Sequence, residues 1–235
     1  MPCKRSERDL FSIGVVYRHY ISLVSIVNSK KRRADIGPGS SLTPAIRRYN
    51  RVVAALGEPV LMTVEQFHAL PERGDVLEEL QWGHVIALSR PKPWHVKLQI
   101  RIADLLRLRA GERGYVITEL PFRAVREYDL RAADVAFVSR ERWDQAGESD
   151  LAGAPEIVVE ILSPSNTKSQ LREYAALCLA NGCEEFWSVN REERSVTVIA
   201  KQGRSVRYNK GQAIPIAALN GQTLPVDEIF PEATK

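Results

Sequence analysis

Two acidic residues lie in apolar segments that have the composition of buried strands. Glu160 is flanked by Ile, Val and Leu within residues 156–162, and Asp134 opens the apolar run 134–138. A glutamate in such a strand is almost never fully buried unless it is paired or holds a metal. If the two strands are neighbours, both carboxylates can meet at one point, where their oxygens suit a hard divalent cation. The pair therefore predicts a divalent-cation site.

The elements that must position these acids follow from hydrophobic spacing and turn residues. We predict a hairpin whose strands, 77–81 and 84–88, flank Trp82-Gly83. Leucine and isoleucine spacing predicts an amphipathic helix over 93–110, and a second helix is predicted over about 168–181. Further strands are predicted at 115–118, 121–126, 134–138, 156–162, 184–189 and 194–200. This pattern predicts an α/β (α+β) protein, a mixed sheet with helices against it.

Charge is unevenly distributed along the 235 residues. Residues 1–50 hold 10 Lys and Arg against 3 Asp and Glu, a net +7, and the remainder holds 23 against 26, a net −3. We therefore predict that residues 1–58 are a basic extension, disordered or outside the core, and that 59–235 form the domain. Thr63 and Gln66 make a capping-box pattern that opens its first helix. Because the basic charge belongs to the extension, it does not by itself predict nucleic-acid binding.

Cysteine usage and the apolar segment near the N-terminus bear on the compartment. Cys3, Cys178 and Cys183 form no even framework and no CxxC, which argues against a disulfide scaffold or a zinc site. Residues 10–27 are apolar, but Arg18 interrupts them and no small-residue cleavage site is clear. We expect a cytoplasmic protein with no membrane segment.

Five short segments occur in an order that points to a known family. They are Glu79-Leu80, His95 at a helix start, Asp134–Val138, Val159–Ser165 and Gly182–Trp187. This order resembles the putative restriction endonuclease family within the PD-(D/E)XK nuclease superfamily, from about Met62 to Phe230. The Glu-hydrophobic-Leu-Ser-Pro-Ser string, followed some twenty residues later by Gly and an aromatic-Trp strand, is its most specific part.

The resemblance implies a restriction-endonuclease-like fold, a mixed β-sheet flanked by helices, that hydrolyses DNA phosphodiester bonds. In such a protein Asp134 and Glu160 bind Mg²⁺, or Mn²⁺, and Glu79 adds a third acid. Magnesium needs only one or two protein carboxylates, and it lowers the pKa of a bound water that attacks phosphorus. A homodimer is expected, because cutting both strands needs two sites related by symmetry.

The chain departs from the family at the lysine that positions the attacking water and offsets negative charge. Leu162 occupies the lysine position of the plain signature, and Tyr174 occupies the family's alternative position on the following helix. Lys168 is the nearest other amine and our candidate for the catalytic role. At ~100° of rotation per residue it lies about 120° from Tyr174, so it can serve only if the helix begins after it.

Several alternatives stay open. The chain is either a Mg²⁺-dependent endonuclease acting through Glu79, Asp134, Glu160 and Lys168, or a weakened or inactive member of the fold that binds DNA or protein. A metal-independent hydrolase using His95 with a serine lacks a nucleophile elbow. Each acid also has a structural alternative: an ion pair for Glu160, loop amides for Asp134, solvent for Glu79. Basic residues that either contact phosphate or face solvent are Lys97, Arg101, Arg107, Arg109, Arg113, Arg123, Arg126 and Arg131.

Overall fold

The computed structural model of the chain describes residues 61–71, 76–163 and 167–231. Eleven strands lie in these residues, and seven of them form one mixed sheet in the order β5-β3-β4-β6-β7-β8-β9. Pairs β3/β5 and β6/β7 are parallel and the other neighbours are antiparallel. The strands are β1 (Leu77–Gln81), β2 (His84–Leu88), β3 (Gly114–Arg123), β4 (Arg131–Ser139), β5 (Leu151–Ala152), β6 (Ile157–Ile161), β7 (Glu185–Asn190), β8 (Ser195–Ala200), β9 (Ser205–Tyr208), β10 (Ala213–Ile216) and β11 (Gln222–Pro225).

Five α-helices surround this sheet in the described ranges. They are α1 (Val64–His68), α2 (Pro93–Ala110), α3 (Arg140–Ala146), α4 (Lys168–Ala180) and α5 (Val226–Ile229). The predicted capping box is confirmed, since Thr63 and Gln66 exchange side chain to backbone hydrogen bonds at the start of α1. A second capping box, made by Thr167 and Gln170, starts α4.

The core consists of two apolar layers, one on each face of the sheet. On one face, α2 packs Ile102 and Leu106 against a cluster that includes Trp187 and residues of the β10/β11 hairpin. On the other face, α4 packs Ala175 and Cys178 against a second cluster. Because β4 and β6 are covered on both sides, residues 135–138 and 157–159 are continuously apolar, as the sequence indicated.

The β1/β2 hairpin turns at Trp82-Gly83, as predicted. Trp82 has φ of 52° and Gly83 has φ of 74°, the two positive values that a tight hairpin turn of this class requires. A Cβ at Gly83 would lie 2.6 Å from the Cβ of Leu61, so no other residue fits there. An isolated antiparallel bridge joins Leu80 of the hairpin to Leu130, the residue that directly precedes β4.

Some of the predicted boundaries were wrong. The strands predicted at 115–118 and 121–126 are one strand, β3, since pairing with β4 continues on both sides of Glu119. Asp134 is the fourth residue of β4 rather than its first. The elements not predicted, α3, α5, β5 and β9 to β11, are short, and the strands among them are at most 4 residues long. Such segments carry too few residues for hydrophobic periodicity to stand out.

The predicted extension, residues 1–58, lies outside the described residues and stays a prediction. Deletion of residues 1–58 is expected to leave the cooperative thermal melt nearly unchanged, because the net charge of +7 over residues 1–50 and the breaker-rich middle of the segment disfavour its packing on the domain. Calorimetry of the full chain and of the shortened one measures this. A fall in Tm of more than ~5 °C, about 1 to 2 kcal/mol for a domain of this size, would contradict it.

Candidate active site

Asp134 and Glu160 lie opposite each other on two paired strands. The antiparallel register matches Val135 with Val159, so one further step along the ladder matches Asp134 with Glu160. The backbone N–H of Ile161 donates to Asp134 Oδ2 at 2.7 Å, which fixes the aspartate against β6. The expectation that the two strands are neighbours is therefore confirmed, and the geometry brings both acids to one place.

Glu119 extends this row of acids to a third strand. The β3/β4 register matches Thr118 with Val135 and Leu120 with Ala133, so Glu119 lies opposite Asp134. Its φ is 53°, a left-handed conformation that a non-glycine residue rarely adopts within a strand. The sequence prediction treated this point as a break between two strands and therefore missed Glu119.

At Glu119 the alternation of β3 side chains between the two faces of the sheet is interrupted. Ile117 and Leu120 pack in the same layer, although regular alternation would put residues three apart on opposite faces. β4 changes in the same way, since Val135 packs with α2 while Ala133 and Ala136 pack with α4. The acids thus lie where the regular alternation of side chains is interrupted in two adjacent strands.

Two residues of α2, His95 and Gln99, hold the acids from one side of the sheet. His95 Nε2 lies 2.8 Å from Asp134 Oδ1. Gln99 is buried and donates from Nε2 to the backbone oxygen of Asp134 at 2.9 Å and to Glu119 Oε1. His95 lies in the first turn of α2, which begins at Pro93, and the contacts of Gln99 show that α2 positions two acids at once.

Glu79 approaches from the β1/β2 hairpin. The backbone N–H of Ala132 donates to Glu79 Oε1 at 2.9 Å, and Gln81 donates from Nε2 to Oε2 at 2.8 Å. Burial raises the pKa of Glu79, and these two donors oppose that rise. The structural alternative of a solvated carboxylate therefore does not describe Glu79, which is held beside β4.

Glu160 lies in surroundings that disfavour its charged form. Burial raises its pKa well above the usual range, and the charges of Asp134, Glu79 and Glu119 raise it further. Glu160 Oε1 is buried and has no hydrogen-bond partner among the described residues. An arginine or lysine partner, the structural alternative for Glu160, is not found there either. A buried unpaired oxygen is costly unless something further binds it.

The surrounding groups respond to the same cluster of charge. The hydrogen bond that His95 donates to Asp134 raises the pKa of His95, and this outweighs the effect of burial. Partial burial and then the charge of Asp134 raise the pKa of Glu119, against the opposing hydrogen bond from Gln99. The charge of Asp134 thus contributes to the raised pKa of both Glu160 and Glu119, and a bound cation would oppose that effect.

A divalent cation fits part of this arrangement. Within the described residues, no three His, Cys, Asp or Glu side chains converge closely enough to make a complete cluster of protein ligands. Magnesium does not require one, since it keeps several waters and takes one or two carboxylates. The unpaired Oε1 of Glu160 and the repulsion between opposed Asp134 and Glu160 are the two observations that fit such an ion.

Tyr174 occupies the place on α4 where the resemblance expects a lysine. Its ring packs with Phe122 and Phe186, at centroid distances of 6.4 Å and 5.5 Å. Its hydroxyl is buried without a described partner. Burial raises the pKa of Tyr174 well above the usual range, and the charge of Glu160 has the next largest effect. A neutral phenol thus lies near Glu160 where an ammonium would be expected.

The nearest described buried cation is Arg131, which is already paired. Arg131 binds Asp129 through Nε and Nη2 at 2.9 Å. Its guanidinium carbon lies 4.8 Å from the centre of the Tyr174 ring. Burial opposes the charge of Arg131, but Asp129 raises its pKa, so it stays protonated. Arg131 is 8% exposed and therefore holds the structure beside the site rather than reaching a phosphate.

Lys168 could take the catalytic role only if α4 began after it, and this condition is not met. α4 begins at Lys168 and not after it, with Thr167 as the N-cap. Lys168 is therefore a helical residue, rotated by about 120° from Tyr174, and its side chain is exposed. Its catalytic role stays a prediction that an alanine variant tests.

Most of the arginines predicted as phosphate contacts have structural partners instead. Arg123 binds Asp150 and Glu65, and Arg109 binds Glu228. Arg107 binds Asp104, and Arg101 and Arg113 donate to backbone oxygens. The sequence could not distinguish these residues from free ones, because their partners lie far away in the chain or at spacings shared by many surface pairs.

The fold and the site together define the class of this protein. It has a restriction-endonuclease-like fold, a large mixed sheet flanked by helices. Residues 64–232 match the family described as "Uma2: Putative restriction endonuclease", and the chain belongs to that family. No curated protein matches the chain significantly.

A solved structure supports the same fold. It is a protein from Anabaena variabilis ATCC 29413, described as a putative nuclease belonging to DUF820, with 19% sequence identity and a TM-score of 0.62. The match covers 72% of this chain and 97% of that one. At this identity the likeness establishes the fold alone. Among the described residues, no helix combines the length and apolar character needed to cross a membrane.

Proposed function

We propose that this protein is a metal-dependent endonuclease-like hydrolase of DNA in which Asp134 and Glu160 share one Mg²⁺ or Mn²⁺. The observation that carries the proposal is the buried, unpaired Oε1 of Glu160, opposite Asp134 in the β4/β6 ladder. Burial, and then the charges of three neighbouring acids, raise the pKa of Glu160. Family membership supports the nuclease class.

The residues around this site have different roles. Ile161 N–H and His95 fix the two oxygens of Asp134, so the aspartate keeps one orientation. Glu160 presents Oε1, and Glu79 adds negative charge from the hairpin side. When Mg²⁺ is bound it supplies a water of lowered pKa and stabilises the leaving oxygen. Protein groups fixed before the reaction cost no reorganisation when charge develops.

The tyrosine at position 174, where the family has a lysine, determines the cleavage rate that we expect. Tyr174 is neutral because its pKa is raised, so it cannot offset negative charge on the phosphate as a lysine would. We therefore expect slow cleavage. This same observation favours the second candidate function, a catalytically weakened or inactive member of the fold that binds DNA or a protein partner.

The proposal also includes the oligomeric state and the cellular compartment of the protein. Cutting both strands of a duplex needs two sites related by symmetry, so we expect a homodimer. We place the protein in the cytoplasm, where Cys178 and Cys183, both buried thiols, stay reduced.

A Mg²⁺ titration followed by thermal melting tests the metal site and its pH dependence. Mg²⁺ is expected to raise the Tm of wild type more at pH 8 than at pH 6, because the raised pKa of Glu160 leaves it protonated as pH falls and the proton competes with the ion. Glu160→Gln is expected to lose the response at both pH values. Glu148→Gln, which changes an exposed acid in the same way, should respond like wild type. An equal Mg²⁺ response in Glu160→Gln and wild type would reject the site.

A further inference from the structure

Arg191 is connected to the acids by a continuous series of side-chain contacts. Its guanidinium carbon lies 4.8 Å from the centre of the Trp94 ring. Trp94 lies 5.4 Å from His95, ring centre to ring centre. His95 in turn contacts Asp134 at 2.8 Å. The rings of Trp94 and His95 thus lie between the exposed guanidinium of Arg191 and the acidic cluster.

The sheet topology places Arg191 and Glu160 at the same end of the sheet. β6 and β7 are parallel, and their register matches Glu160 with Ser188. Arg191 follows Asn190, the last residue of β7, three residues beyond Ser188. At about 3.3 Å per strand residue, Asn190 lies about 7 Å along the strand direction from the level of Glu160, and Arg191 begins the turn that follows. Arg191 therefore lies beyond the last β6/β7 pair, Ile161 with Val189, at the end of the sheet to which Glu160 is close.

Arg191 differs from the paired arginines in what its guanidinium contacts. It is exposed, and no carboxylate of residues 61–71, 76–163 or 167–231 lies within ion-pair distance of it. Stacking on Trp94 leaves the N–H donors at the guanidinium edge available. A guanidinium held in one orientation loses less conformational entropy on binding than a free side chain. These are the properties of a phosphate-binding arginine.

We propose that Arg191, oriented by Trp94, binds a backbone phosphate of the DNA strand that crosses Asp134 and Glu160. The inference rests on the proposed function and adds a substrate contact to it. The acids repel a polyanion, so a neighbouring cation is needed to hold the strand beside them. Arg191 supplies that charge outside the acidic cluster, where it does not neutralise the metal ligands.

Fluorescence anisotropy with a labelled DNA duplex, in Ca²⁺ and over a series of salt concentrations, tests this contact. Arg191→Ala is expected to weaken binding by about tenfold, the effect of one charge-assisted hydrogen bond. The slope of log affinity against log salt should fall by about 1. Arg191→Lys should lie between Arg191→Ala and wild type, because lysine keeps the charge but not the planar fork. Trp94→Leu should weaken binding less than Arg191→Ala, since the charge remains but its orientation is lost.

Arg140 offers a control away from the acids. Its guanidinium carbon lies 5.4 Å from the Tyr115 ring, a similar cation–aromatic pair, but its Nη2 also binds Glu112 at 2.9 Å and it follows β4 at the end away from Asp134. Arg140→Ala should bind DNA like wild type. Equal affinities and salt slopes for the Arg191→Ala and Arg140→Ala variants would overturn the inference alone.

The remaining outcomes separate this inference from the proposed function. If wild type binds no DNA, DNA is not the substrate and both are overturned. If Arg191→Ala weakens binding but no variant cuts DNA with Mg²⁺, the contact stands and the proposed catalysis fails. Melting curves accompany each variant, and a defect that Arg191→Lys partly restores at an unchanged Tm supports a direct contact.

Discussion

Tyr174→Lys is expected to raise the rate of DNA cleavage by about 10² to 10³-fold. Loss of one preorganised electrostatic group typically costs that factor, and a restored ammonium should return it. The phenol of Tyr174 is buried near Glu160, so a lysine there can offset charge on the attacking water and the phosphate. Initial rates of plasmid nicking, at matched Mg²⁺ and salt, measure the change.

Tyr174→Lys is also expected to destabilise the fold. The controls must separate this effect from the change in cleavage rate. Tyr174 packs between Phe122 and Phe186, and its ring lies against Arg131. Lysine loses this packing and places a second cation near Arg131, so we expect a lower Tm. Tyr174→Phe is the matched control, because it keeps the ring and removes only the hydroxyl. Faster cleavage by Tyr174→Phe as well would show that the amine is not the cause.

The second large effect is expected from removing either acid in the faster variant. Asp134→Asn or Glu160→Gln, each combined with Tyr174→Lys, should lower cleavage by at least about 10²-fold, because each removes one charged ligand of the shared cation. Asparagine can still accept the Ile161 hydrogen bond through its side-chain oxygen, so the loss is one of charge more than of geometry.

Glu148→Gln in the same background is the control, since this exposed acid lies outside the row formed by Glu119, Asp134 and Glu160. It should cut like Tyr174→Lys alone. If Glu160→Gln or Asp134→Asn retained the full rate of the Tyr174→Lys variant, the metal site would lie elsewhere.

Part of the site could be predicted from the sequence because burial and charge conflict locally. Glu160 interrupts a run of Ile and Val, and Asp134 lies in another, so a short window was enough to identify both. The hairpin around Trp82-Gly83 and the helix α2 are also local patterns, and their bounds matched the predicted ones.

The rest of the site depends on contacts between distant segments. Glu119 was missed because the left-handed backbone that brings it opposite Asp134 leaves no pattern in the sequence, and the strand prediction was broken at that point. Gln99 appeared as one more polar residue of an amphipathic helix, although it is 4% exposed and binds two acids. Arg191 and Trp94 are 97 positions apart in the chain.

Arginine partners illustrate the same limit. Arg123 and Arg131 were among the basic residues predicted either to contact phosphate or to face solvent. The fold instead pairs Arg123 with Asp150 and Glu65, and Arg131 with Asp129. Which arginine stays available is decided by carboxylates that folding brings within 4 Å, a tertiary property.

The central claim is that Asp134 and Glu160 form a metal-dependent cleavage site that lacks its lysine. Plasmid nicking by wild type, Lys168→Ala, Tyr174→Lys and Tyr174→Lys/Glu160→Gln, under one metal and salt condition, tests it most directly. We predict slow or undetectable nicking by wild type, faster nicking by Tyr174→Lys, and loss of that gain in the double variant. If Lys168 supplied the amine instead, wild type would cut and Lys168→Ala would not. Robust cleavage by wild type that survives Lys168→Ala would contradict the account.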